Sequence, residues 1–294
     1  MNTGRPLDAA AVAAMLILCA SWGLNQVAIK FALVDFPPLI QGALRSVGAL
    51  PVVFIAAHLR GVRLGKRDGT LMAGLTAGTL FGFEFIFIYY ALTLTTASRG
   101  VVFVYTAPVF VGLGARMFLG EWLSVAQWSG LALSFLGILV ALGVPDPTVG
   151  ASTLLGDALM IVGAALWAAT TLFLKASSLA RVPTEKTSLY QYAVSGIIFA
   201  AGAPLAGEAI THWPGSVAVS WLVYQSIWVL GVTFTIWFGL VVSYSASRLS
   251  AFSYLTPLFG VAAGHYILGD PLTPTFAVAV ALVIAGLVLV NQPR

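Results

Sequence analysis

Charge is what this sequence has least of. Only 8% of its 294 residues are Asp, Glu, Lys or Arg, against roughly 25% in an ordinary soluble domain. So few charges cannot solvate a globule of this size, which excludes a large water-facing domain. Cysteine is nearly absent: the lone Cys19 lies in an apolar run, which excludes an intrachain disulfide or a cysteine cluster and leaves a small residue facing core or lipid. His58, His212 and His265 are scattered near the ends of apolar segments, so no metal site is expected. Basic runs are lacking apart from His58 to Arg67, and aromatic residues alternate with apolar ones, not with Lys and Arg. That pattern argues against nucleic-acid binding despite the net charge of +4.

Catalytic signatures are missing as well. There is no Gly-x-Ser-x-Gly elbow, no His-Glu-x-x-His and no paired aspartate motif. The stretch Gly61 to Arg67 imitates a phosphate loop, but its spacing is wrong and no Ser or Thr follows Lys66. No nucleophile and base fall at compatible depth, so an enzyme is not expected, and neither is a cofactor.

What the sequence has in quantity is apolar length: 60% of its residues are hydrophobic. A helix crossing a hydrocarbon core of ~30 Å needs about 20 such residues. Apolar segments at 8–31, 38–58, 70–93, 99–119, 124–143, 153–176, 184–206, 218–243, 249–268 and 273–291 predict about ten transmembrane helices, an all-α integral membrane protein. Pro37-Pro38, Pro145, Pro147, Pro183, Pro214, Pro271 and Pro274 fall at the joints, where helices stop or start. Barrel strands are excluded, since the segments are too long and lack two-residue alternation. Arg5 before the first run imitates a secretory leader, but the run is long, carries Trp22, Asn25 and Lys30, and is the first of many. It reads as an uncleaved helix.

With the N-terminus inside, cytoplasmic ends receive Arg5, Arg60, Arg63, Lys66, Arg67, Arg116, Lys175, Arg181, Lys186, Arg248 and Arg294, and the outer side only Lys30, Arg45 and Arg99. That asymmetry satisfies the positive-inside rule and puts both termini in the cytoplasm.

The chain also repeats itself. Residues 97–141 laid on 246–290 give 13 identities in 45 pairs without a gap. Ala97-Ser98-Arg99 meets Ala246-Ser247-Arg248, Tyr105 and Pro108 meet Tyr254 and Pro257, Leu119-Gly120-Glu121 meets Leu268-Gly269-Asp270, and Gly137 meets Gly286. Earlier in each half the offset is 145, pairing Trp22 with Trp167 and Lys30 with Lys175. The predicted units are 1–145 and 150–294, five helices each. An odd number inverts the second copy in the membrane, the design behind alternating access in many transporters.

Glu84 is the one acidic residue deep within a span. Such a carboxylate is costly and marks a proton site or a partner for a substrate ammonium; the structural alternative is a hydrogen bond to neighbouring helices. Gly74, Gly78 and Gly82 form a stripe for close helix packing, within the chain or between chains, and Glu84 points away from it. Trp22 and Trp167 stand eight residues from Lys30 and Lys175, about 12 Å along a helix. That puts both near the midplane, where they suit a shared cavity better than the interfaces membrane tryptophans favour. Asn25, one turn outward, offers a polar contact. Pro108 and Pro257 interrupt their helices near the middle, predicting kinks that free backbone carbonyls. Tyr105, three residues before Pro108, is expected to line the cavity. Tyr89, Tyr90 and Tyr244 are expected as interfacial anchors.

An Arg followed nine residues later by a mid-helix Pro, then Leu119-Gly120-Glu121 and a Gly-punctuated helix, resembles the drug/metabolite transporter superfamily of the EamA type, and the second copy fits too. The resemblance covers essentially the whole chain. Phe83-Glu84-Phe85, Tyr105 before Pro108, and Trp167 are most similar to the bacterial aromatic amino-acid exporters (YddG-like). It implies that these positions line a central cavity. Ala107 stands where that branch carries an aromatic residue, which implies a broader pocket.

The expected function is therefore export of amino acids, aromatic and broader, or related small metabolites, across the bacterial inner (plasma) membrane by alternating access. The substrate would sit among Trp22, Asn25, Glu84, Tyr105 and Trp167. Rival readings are an exporter of organic cations or drugs, and a passive channel. The expected partners are the small-molecule substrate and the lipid bilayer, with a monomer favoured and an oligomer left open.

Overall fold

A backbone within hydrocarbon must satisfy its own hydrogen bonds, and among the described residues every element is helical. The structure, a computed structural model, describes residues 7–268 and 274–292. Arg5, Gly269, Asp270, Pro271 and Arg294, used in the sequence reading, lie outside the described residues.

Three long helices come first: α1 (Ala9–Ala32), α2 (Pro38–Leu59) and α3 (Leu71–Leu94). The next run is broken into α4 (Ala97–Val104) and α5 (Ala107–Gly114), which continues as a π turn, Ala115–Leu119. Then come α6 (Val125–Leu142), α7 (Ala151–Ala176) and α8 (Thr184–Leu205). A wide π stretch, Tyr224–Phe234, joins α9 (Ser216–Val223) to α10 (Thr235–Ser243). The last broken run is α11 (Ala246–Ala251), a 3-10 turn (Phe252–Tyr254), α12 (Leu255–Ala263) and a second short π turn (Gly264–Leu268), before α13 (Thr275–Asn291). Seven stretches are long and apolar enough to cross a membrane: α1, α2, α3, Arg99–Leu119, α6, α7 and Ser216–Ser243. The apolar α13 has 17 residues.

Both breaks follow from proline. Pro108 and Pro257 lack the N–H that an α-helix would point back one turn, and their rings crowd the carbonyl four residues earlier. The helix stops ahead of each, at Tyr105–Thr106 and at Phe252–Tyr254. At each break a hydroxyl donates to a carbonyl three residues earlier: Thr106 Oγ1 to Phe103 O at 2.6 Å, and Ser253 Oγ to Ser250 O at 2.6 Å. Cys19 is in the core and donates its thiol to Phe252 O at 3.3 Å.

Glycine sets how closely helices approach. A Cβ on Gly78 would lie 2.6 Å from Val194 Cβ and 2.8 Å from the Tyr190 carbonyl. Gly74 and Gly82 meet Tyr190 and Ile198 in the same way, so the stripe packs within the chain, against α8. Gly130 and Gly286 bring α6 and α13 together backbone to backbone; a Cβ on Gly286 would lie 2.5 Å from Gly130 O.

Polar contacts tie the helix ends together. Arg60 pairs with Glu185, Lys186 Nζ lies 2.6 Å from Asp68 Oδ2, and Gln127 Nε2 donates to Val290 O at 3.1 Å. Arg99 pairs with Asp157, and Asp35 meets His212 at 2.9 Å and the Gly215 N–H at 2.7 Å. Glu208 accepts the N–H groups of Leu39 and Ile40 at 2.9 and 3.1 Å, capping α2, whose Pro37 offers no capping side chain.

The tightest such node belongs to Glu121. Lys175 Nζ lies 2.8 Å from its Oε1 and also donates to the Tyr244 carbonyl. Ser245 Oγ donates to Oε2 at 2.8 Å, and the backbone N–H groups of Ala246 and Ser247 to Oε1 and Oε2 at 3.1 and 3.2 Å. Both charged side chains are buried. Burial raises the Glu121 pKa, but Lys175 and these donors outweigh it and hold the carboxyl below the usual range.

Two outcomes are expected. Glu121→Ala strands Lys175 and should cost about 3–5 kcal/mol, read as a lowered melting temperature in detergent; an unchanged one would show that the node does not hold the fold. At the α2–α3 joint, Lys186 and then Thr70 hold the Asp68 carboxyl at about 2, below its unfolded value of about 3.9. The folded state thus binds that proton less readily than the unfolded chain. Asp68 should stabilise fully above about pH 4 and lose that contribution as pH falls toward 2. Asp68→Asn should flatten this limb of the melting profile.

Candidate functional site

Side chains from α1, α2, α3, the α4 end, α7, the long π stretch and α10 surround one cavity of about 130 Å³. Trp22, Asn25, Glu84, Tyr105 and Trp167 all line it. Aromatic rings form its walls. Tyr105 and Trp167 meet edge to face, centroids 5.8 Å apart. Trp22 packs against Phe234 at 5.3 Å and edge-on to Trp237 at 5.6 Å. Its indole N–H donates to Thr233 Oγ1 at 3.0 Å, which fixes the ring and satisfies its polar atom. Tyr254, the repeat partner of Tyr105, is fully buried beside Phe135 and is not among the cavity residues.

Three corrections to the sequence reading follow. Arg45, counted among the outer-face charges, is 1% exposed and lines the cavity. Its guanidinium carbon stands 4.5 Å from the centre of the Phe85 ring, a cation–π contact. Tyr89, expected as an interfacial anchor, is buried against Phe85 and Phe199 and lines the same cavity. Tyr244 is also buried and donates to Asp8 Oδ2 at 2.7 Å; of the three tyrosines only Tyr90 is exposed. A signal for Arg45 was present in the sequence. It lies seven residues inside α2, about 10 Å from the helix end, and a cation at that depth marks a functional site by default. Phe234 and Trp237 carried no comparable signal, because their shared face depends on how the π stretch turns.

Polar atoms at the cavity are under-satisfied. Asn25 Oδ1, Arg45 Nε and Nη2, Glu84 Oε2 and the Tyr89 hydroxyl are buried with no hydrogen-bond partner. Each such atom costs about 1–3 kcal/mol, and five of the unpartnered buried atoms among the described residues gather at this one cavity. Arg45 and Glu84 line it together without forming an ion pair. A larger groove of about 600 Å³ between α1, α12 and α13 is lined by apolar side chains with Asn291 alone as a polar residue. It has nothing to orient a polar solute.

The sequence profile of the EamA-like transporter family matches residues 9–143 and again 154–292. The chain belongs to the EamA-like transporter family. Among relatives of this EamA-like transporter, the "Probable amino-acid metabolite efflux pump" of Escherichia coli (strain K12) is 29% identical over 284 residues, covering 92% of this chain and 91% of the relative. The "Uncharacterized transporter YvbV" of Bacillus subtilis (strain 168) is 27% identical over 282 residues, covering 94% and 90%. A solved crystal structure superposes with a TM-score of 0.82 at 22% identity over 96% of both chains, which shows the shared fold. Transport across a membrane by a multi-pass helical protein is thus the frame for the cavity.

If its under-satisfied polar atoms serve function, stability and transport should separate. The double substitution Arg45→Met/Glu84→Leu should raise the melting temperature in detergent, equivalent to about 1–4 kcal/mol, and abolish transport. Either single substitution should raise it by less, since each removes one unpartnered buried charge. A double variant less stable than both singles would contradict this.

Proposed function

We propose that this chain is a secondary transporter that exports amino acids, aromatic and broader, or related small metabolites across the bacterial inner membrane by alternating access. The observation that carries this reading is the cavity itself: five residues from three helices and a helix break converge on a space lined by aromatic rings with one intramembrane carboxylate. Rings pack an apolar side chain or stack on a cation, and Glu84 attracts an ammonium. The printed name of the Escherichia coli relative agrees with it. In this conformation the cavity is smaller than the ~300–1,000 Å³ of typical ligand sites, so substrate entry requires the aromatic walls to part.

The architecture proposed with it is ten spans in two inverted five-helix repeats, 1–145 and 150–294, with both termini cytoplasmic. Three observations support it. The family profile matches twice. Thr95 donates to Asp157 at 2.8 Å and Tyr244 to Asp8 at 2.7 Å, so the end of the third helix of each half bonds the start of the first helix of the other. Thr96 caps α4 through the Arg99 N–H, and Ser245 caps α11 through the Arg248 N–H, at the matching repeat positions. The inversion supplies two packings of one design, open to opposite faces. Organic-cation export fits Glu84 and the rings but leaves a buried Arg45 facing a cation.

Proteoliposomes loaded with a panel of labelled amino acids should show saturable efflux. Trp167→Ala should weaken apparent affinity about two- to tenfold, the worth of an aromatic contact. A panel that shows no flux removes the amino-acid reading, and flux that never saturates favours a channel.

A further inference from the structure

Two charges of opposite sign line this cavity, and neither is spent on the other. Arg45 is 1% exposed and Glu84 5% exposed, yet Arg45 Nε and Nη2 and Glu84 Oε2 have no hydrogen-bond partner. Nε and Nη2 lie on one edge of the planar guanidinium, the edge that binds a carboxylate through two parallel N–H groups. The Phe85 ring, 4.5 Å from the guanidinium carbon, holds that plane in place. Asn25 Oδ1 is a third unpartnered atom and an acceptor, able with Glu84 to receive an ammonium.

Net charge decides what such a pair admits. A cation gains Glu84 but meets Arg45, and an anion gains Arg45 but meets Glu84; in a medium of low dielectric a like charge is strongly disfavoured. An uncharged solute leaves both charges buried and unpaired. Only a molecule carrying both signs a few ångströms apart satisfies the two together. We propose that Arg45 and Glu84 bracket a zwitterion, Arg45 binding its carboxylate and Glu84 its ammonium, so that the substrate class is amino acids with both groups free. This rests on the amino-acid reading above and narrows it.

The test uses full-length protein in detergent and, in parallel, in proteoliposomes, with ligand triads that share one side chain. Phenylalanine, phenethylamine (no carboxylate) and 3-phenylpropionate (no ammonium) form one triad; alanine, ethylamine and propionate another. The wild type should bind the amino acid of a triad at least tenfold more tightly than either truncated analogue. Arg45→Gln should weaken amino-acid binding about ten- to a hundredfold, as expected for a charge-assisted hydrogen bond, while gaining relative preference for the amine. Glu84→Gln should shift preference toward the acid, and Arg45→Lys should keep discrimination against the amine. Equal binding of amino acid and amine by the wild type, with amino-acid transport intact, overturns the bracket but leaves the amino-acid reading standing. Tight amine binding with no amino-acid binding, or no binding within either triad, overturns both. The wild-type comparison needs no variant to fold.

Discussion

A polar atom in hydrocarbon has no water to bond, and most of this structure is a response to that constraint. Where a helix breaks ahead of a proline, a threonine or serine hydroxyl donates to a carbonyl three residues back. Where the Glu121 carboxylate is carried into the interior, an ammonium, a hydroxyl and two backbone N–H groups close around it. Satisfaction is incomplete at the central cavity, where four of the side chains keep polar atoms unmatched.

The interrupted helices belong to the same logic. An unbroken α-helix has no hydrogen-bonding capacity left over and presents only side chains. Breaking the helix before Pro108 turns Tyr105 toward Trp167, and the π stretch swings Phe234 beside Trp22. Glycines do the complementary work on the outer contacts, where α3 lies on α8 and α6 on α13 with almost no side chain between.

Much of the site was legible from one chain read twice. Laying the two halves on each other predicted a common depth for Trp22 and Trp167, and expected depth alone singled out Glu84, because a lone carboxylate mid-span has few structural explanations. All three line the cavity. Arg45 escaped because a charge near a span end is counted for topology before it is considered as a ligand, and seven residues of helix separate those roles. Tyr89 escaped because tyrosine is common at membrane interfaces, and nothing local tells an inward-turned ring from an outward one.

Apolar segment length, proline position, charge asymmetry and internal repetition were properties of the sequence by itself. They sufficed for a helical membrane protein, its joints and its family, since each depends on local chemistry or on comparing one stretch with another. Which faces meet was decided only by the tertiary structure. Rotation of a helix about its axis costs nothing in sequence pattern when nearly every face is apolar. Packing against glycine stripes and the geometry of the helix breaks set that rotation here, and with it the meeting of Arg45 and Glu84 across one small cavity.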